Sequence, residues 1–367
     1  MFRRKNLAGS LQLLRDRFAH IMTLETFSIS LECSTTTSRR EETSTLFSVF
    51  TVVNFIIVII IPPVLAVVGG IGNFLSFLLM NQPKYSKSTT CFYMRCLAKF
   101  DSVYIFGRMI LRYLLVVASN ILLEQAVETY FCLFYLSVFY FGCVLSPLLL
   151  TIMAIDRFVA LTWPLKAANV CTMRRSKQLV FGTTSLGAVL GLIQLLRSHR
   201  PELISWYCPY HFKVAAGVFD QVFNVVTAYI PIICLLFCNL GIIRAVYKSK
   251  RELSHLSNTK RSSSTEKSIT STTVMVTCIF IISKIPMLFE DSFWSYNSFD
   301  PTSKLIVHLK ILSINFAILM ESLNYCLNFY MYGLSCKRFR KELLIIIMCR
   351  YKTLQKSTRS KVLSTVT

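Results

Sequence analysis

Long apolar blocks alternate with short polar segments along most of this chain, at about 53–80, 91–119, 130–162, 178–196, 214–246, 269–292 and 305–333. Each reaches or approaches the ~20 residues that an α-helix, rising about 1.5 Å per residue, needs to cross the hydrocarbon layer of a bilayer. The blocks lack the alternation of an outer-membrane barrel, and open strand edges cannot be satisfied in lipid, so helices are expected. The predicted fold class is an all-α membrane protein, a seven-transmembrane helix bundle. Three parts follow: an extracellular N-terminal segment over 1–52, a membrane domain over 53–333, and an amphipathic helix with a tail over 334–367.

The hydrophobic fraction of 54% against 16% charged residues, with a positive mean hydropathy, fits one integral membrane domain better than soluble ones. The formal charge of +22 does not point to nucleic acid, because Lys and Arg gather between and after the apolar blocks. Four basic residues lie in 162–177, seven in 244–268 and nine in 337–367, against none in 120–129. By the positive-inside rule those three segments face the cytoplasm and the N-terminus lies outside; the seven basic residues of the N-terminal segment, mostly far from the first span, weigh less. Most of the thirteen cysteines fall inside apolar blocks, where Cys acts as a small hydrophobe.

The stretch SCKRFRKELLIIIMCRY, residues 335–351, sets Phe339, Leu343, Leu344 and Ile347 at helical spacing beside basic residues, too short and charged to span. It is expected to lie along the inner membrane surface, with Cys349 open to acylation or unmodified. The Ser/Thr-rich basic segments 249–273 and 353–367 read equally as kinase targets or solvated linkers.

Ionisable groups inside spans cost several kcal/mol, roughly 2.5–3.5 on insertion scales, so each calls for a partner or a wet cavity. Asp101, Arg108 and Arg112 fall at i, i+7 and i+11, one stripe of the second span; Glu321, Asn324 and Asn328 share one face of the seventh. Lys284, two residues before Pro286, sits near mid-span of the sixth and calls for an anionic partner. A transporter or channel would use such groups too, but the internal repeats and broken paired helices that this predicts are not visible. H-E-x-x-H and G-x-S-x-G are both missing from the sequence, and GGIGN at 69–73 lies inside a span, where glycines serve close helix packing; no enzyme is indicated.

The third block ends in LTIMAIDRFVALTWPL, residues 150–165. Seven spans, this orientation and the Asp156–Arg157 pair resemble the rhodopsin-like (class A) G-protein-coupled receptors over residues 53 to 348. Further matches are Asn73 in GIGNFLSFLLM, Asp101 in LAKFD, Ser146, Pro231 in AYIPIICLL, Pro286 and LNYCLNFYMY, and FYMYGLSCKRFRKEL is similar to invertebrate neuropeptide (FMRFamide-type) receptors. The resemblance implies a plasma-membrane receptor that takes an extracellular ligand and activates a heterotrimeric G protein, with receptor kinases and arrestin as further partners.

Residue by residue, the resemblance implies a disulfide between Cys132 and Cys208. Asp156, Arg157, Glu266 and Tyr332 would serve G-protein coupling and a resting lock. Asp101, Ser146, Asn324 and Asn328 would line a sodium pocket, an allosteric Na⁺ rather than a cofactor, with the hard oxygen ligands that ion prefers. Phe139 stands where aminergic receptors carry Asp, and Ser322 where opsins carry their lysine, so a peptide is the expected ligand. Arg108, Arg112, Phe139, Tyr140, Lys284, Glu290 and Glu321 are the candidate contacts; Glu290, with Asp291, would meet a basic peptide group or form a solvated rim. The family's Pro after Asn328 is Phe329 here, its aromatic switch is Lys284, and Asn239 replaces a fifth-helix Tyr. A Lys284–Glu321 ion pair near the pocket floor is expected from these departures.

Overall fold

The computed structural model describes residues 48–111, 114, 125–198, 218–254, 263–296, 303–335, 339–346 and 348. Among them every regular element is helical. The chain runs through α1 (Ser48–Met80), α2 (Thr89–Tyr104, continued by Ile105–Leu111), α3 (Gln125–Thr162), α4 (Met173–Ser198), α5 (Val218–Asn224 continued through Ser254), α6 (Ser263–Tyr296), α7 (Lys304–Ser335) and α8 over 339–346. These helices outlast the apolar blocks at most ends, because backbone hydrogen bonding rather than hydropathy decides where a helix stops.

Five of them are long and apolar enough to cross a membrane: α1, α3, α5, α6 and α7. α2 carries Arg95, Lys99, Asp101 and Arg108, of which Asp101 and Arg108 are buried inside the bundle, and α4 starts with an exposed basic turn, so both are less apolar than the other five. α3 is the central helix, packed on α2, α4, α5 and α6, and the ring closes through α6 on α7 and α7 on α1.

Three helices widen into π-helical turns: Ile56–Ile60 in α1, Ile105–Leu111 in α2 and Val225–Tyr229 in α5. Two have a cause in the sequence. Pro62 with Pro63, and Pro231, bring no N–H to the preceding turn, so the ladder slips to i→i−5, seen in Ile61 N–H to Ile56 O and Ile230 N–H to Val225 O. The α2 segment contains no proline.

GGIGN packs as expected: a Cβ on Gly69 would meet the Cys326 Sγ at 2.7 Å, and one on Gly72 the Phe329 side chain at 3.0 Å, so side chains of α7 rest directly on the α1 backbone. Asn73 Nδ2 donates to the Tyr325 carbonyl at 3.2 Å across the same contact. The main core lies toward the end of the bundle that holds Asp156, the inner end by the rule of basic loops, and includes Leu79, Met94, Leu150, Met153, Leu235 and Phe280. Phe339 of α8 is buried in it, between Phe329 and Tyr332, which seats this part of α8 against the bundle.

Candidate functional site

At the inner end, Asp156 Oδ2 receives Arg157 Nη2 at 2.7 Å, the neighbour pair expected from the sequence. A partner that the sequence did not announce joins them: Thr89, at the start of α2, donates to Asp156 Oδ2 at 3.0 Å and accepts from Arg157 Nη2 at 3.3 Å. Ser88 caps that helix start by accepting from the Cys91 N–H, which fixes Thr89 one residue on. Arg157 therefore turns toward α2. The Glu266 side chain, its proposed second holder, lies outside the described ones.

Below this pair a short helix, Pro164–Val170, starts on the Pro that closes the sequence motif, as Pro favours at a first helical position. It presents Leu165 90% exposed, beside half-exposed Trp163. Cys171 ends it and donates from Sγ to the Asp156 carbonyl at 3.6 Å. Burial first, and the Asp156 charge second, push the Cys171 thiol up to about 11, so it stays protonated at neutral pH.

In mid-bundle the stripes read from the sequence face inward. Asp101 is fully buried and accepts from Ser146 Oγ and from Asn328 Nδ2, each at 2.7 Å. Asn324, grouped with them on sequence, is buried nearby in α7 but bonds none of them: its amide O and N both have no hydrogen-bond partner among the described residues. The hydroxyls of Ser76, Tyr325 and Tyr332 share that condition, so this interior is polar, dry of protein partners and suited to water or a small cation. Tyr332 is buried against Phe339.

One turn higher, Lys284 Nζ of α6 and a Glu321 carboxylate oxygen of α7 form the expected ion pair. Both residues are only 5% exposed. α6 is tied to α7 at two further levels: Trp294 Nε1 donates to Ser313 Oγ at 2.9 Å toward the outer end, and the hydroxyls of Thr272 and Ser335 meet at 2.8 Å toward the inner end. To α5 it is tied by Thr277, donating to Asn239 Oδ1 at 2.9 Å, so the residue in place of the usual Tyr has a role of its own.

Toward the outer end, Arg108 is buried and donates from Nη1 to the Tyr135 hydroxyl at 2.9 Å, with its guanidinium over the Phe139 ring. Phe139 also stacks on Tyr135 and meets Tyr140 edge-on, and Tyr140 packs against Phe223 of α5. Tyr135 is a contact that sequence reasoning missed. Of the two alternatives for Glu290, the solvated rim falls away: at 7% exposed it sits inside the bundle.

Several expectations fall on parts outside the described residues: the N-terminal segment up to residue 47, Arg112, Cys208, Cys349 and the tail from there on, and the side chains of Cys132 and Asp291. The cysteines seen free are all elsewhere.

The sequence was compared with known families. The model described as "7 transmembrane receptor (rhodopsin family)" matches residues 72–332, from the Gly that packs α1 on α7 to Tyr332 at the inner end of α7. No curated protein matches the chain.

Proposed function

Because this chain belongs to the rhodopsin family of seven-transmembrane receptors, we propose that it binds an extracellular peptide and activates a heterotrimeric G protein at its inner face. It is a multi-pass membrane protein; in this reading it sits in the plasma membrane with its N-terminus outside, in line with the basic loops. The observation that carries the reading is the set of ties on α6. A ligand that binds better to the form with α6 displaced shifts the population toward it, and only differential affinity can do so.

Arg157 is the residue that meets the G protein once Thr89 and Asp156 release it, with exposed Leu165 docking beside it. Glu266, at the inner end of α6, adds a resting contact to Arg157. Arg108, with Arg112, Phe139 and Tyr140, receives the ligand's polar end through charge-assisted hydrogen bonds and aromatic contact. Lys284–Glu321 forms the floor beneath them, and Glu290 meets a basic group that reaches between the helices. Asp101, Ser146 and Asn328 hold Na⁺ in the resting form, and Asn324, with both amide atoms uncommitted, reaches it through water. A Cys132–Cys208 bridge ties α3 to the outer loop. Receptor kinases and arrestin act on the Ser/Thr-rich tail.

The test is nucleotide exchange on purified G proteins of several classes, with amidated neuropeptides applied to reconstituted receptor, alongside ion and solute flux in the same vesicles. Peptide-dependent exchange without flux is the expected result; flux with no exchange would replace this reading by a transporter or channel.

A further inference from the structure

The π-helical turns of α1 and α2 both pack against α7, and the α2 turn packs on α1 just beyond its own π-helical turn. Between the three helices they leave a cavity of about 40 Å³. A single water needs roughly 10–15 Å³ on such a measure, so the space holds a group of several atoms. Its walls are apolar, with Ile57, Leu65 and Ile318 among them, apart from three side chains: Arg108, Asn315 and Ser322. Arg108 is 6% exposed and stands on the π-helical segment itself.

Each polar group is held from behind. Tyr135 and the Phe139 ring fix the Arg108 guanidinium, Asn54 fixes Asn315 through a buried 3.1 Å amide bond, and Tyr104 lies 3.5 Å from the Ser322 hydroxyl. Widened helical turns recur at functional sites, and a cavity with a cation and a hydroxyl in its walls does not stay empty as an apolar one would.

We propose that this cavity binds the carboxylate of an aliphatic acid, the acid group on Arg108 and Ser322 and the chain along the apolar walls. A planar guanidinium matches a carboxylate in two parallel hydrogen bonds, which a neutral amide cannot equal, and the walls take an alkyl stem. The acid arrives by one of two routes: as the end of a soluble ligand, or from the bilayer past α1. α1 has the smallest buried share among the five apolar spans and turns Ile56, Ile60 and Val64 outward. The inference rests on the receptor reading only for the consequence of binding, since the site itself is read without any G protein.

Thermal unfolding of the receptor in phosphatidylcholine nanodiscs tests it. Hexanoate, added from solution at saturation, should raise the midpoint by several degrees, about 5 °C, while hexanol should not. Oleate built into the disc, against oleyl alcohol, forms the second arm. A response to hexanoate alone assigns the soluble route, and a response to oleate alone assigns the bilayer route. The shift should vanish in Arg108→Gln and shrink in Arg108→Lys. Should Arg108→Gln not fold, Ile57→Phe, which fills the space and keeps the charge, must abolish the shift. No response to either acid, equal shifts with acid and alcohol, or a shift that survives Arg108→Gln or Ile57→Phe would overturn the proposal. None of these outcomes bears on nucleotide exchange, so failure here leaves the receptor reading to its own test.

Discussion

Two charge pairs in this bundle look alike on paper and differ in what holds them. Asp156 and Arg157 are chain neighbours at the inner end, shared with Thr89, and Arg157 keeps part of its surface in contact with the surroundings. Lys284 and Glu321 lie 37 residues apart, on different helices, both almost wholly buried. The first pair lies within one helix, its two side chains bridged by Thr89 of α2; the second exists only when α6 and α7 are packed together. Breaking the first frees an arginine, whereas breaking the second strands a charge in a low-dielectric interior. Interfacial charge is thus suited to switching and buried charge to fixing which helices belong together.

The comparison can be broken most severely at the buried pair. Lys284→Ala or Glu321→Ala alone should destabilise the receptor by about 3–5 kcal/mol, seen as loss of surface expression and of a thermal transition. Lys284→Met with Glu321→Leu, by contrast, should recover most folded protein, since a well-packed apolar replacement of a buried pair is often neutral. At the interfacial pair, Arg157→Ala should leave surface level near normal while exchange on G protein falls at least ~10-fold, about 1.4 kcal/mol of activation free energy. Full coupling in that variant would remove Arg157 from the mechanism.

Smaller effects sharpen the contrast. Leu165→Ala should weaken coupling several-fold without touching stability, because a fully exposed leucine contributes only when a partner buries it, on the order of 1.5–3 kcal/mol at most. Thr89→Val removes one hydrogen bond each from Asp156 and Arg157, and should raise basal exchange a few-fold, on the order of 1 kcal/mol per bond. Unchanged basal exchange would mean that α2 does not restrain Arg157.

The sequence made parts of this legible and hid others for physical reasons. Spans show because about 20 apolar residues in a row have few other uses. The Lys284–Glu321 pair could be anticipated because a lysine at mid-span demands an anion and few carboxylates lie at its level. Asp101, Ser146 and Asn328 were grouped through the resemblance to the family, while Asn324, grouped with them, shares the face of α7 without sharing the bonds. Thr89, Tyr135 and the Asn54–Asn315 bond were not anticipated, since a neutral polar residue in a span announces no partner and each bond joins different helices. The short helix at Pro164 was missed as well, although Trp-Pro-Leu after a span carries the first-turn signal. Proline explains two of the three π-helical segments in hindsight; nothing in the α2 sequence explains the third.

The buried Lys284–Glu321 ion pair joins α6 to α7 and, by the resemblance, takes the place of an aromatic switch. A double-mutant cycle on Lys284 and Glu321, read as thermal stability in nanodiscs and as basal nucleotide exchange, tests it most directly. The account predicts a coupling of about 2 kcal/mol or more in stability, with basal exchange altered in the single variants and largely restored in the double. Strictly additive effects on both readouts would contradict it.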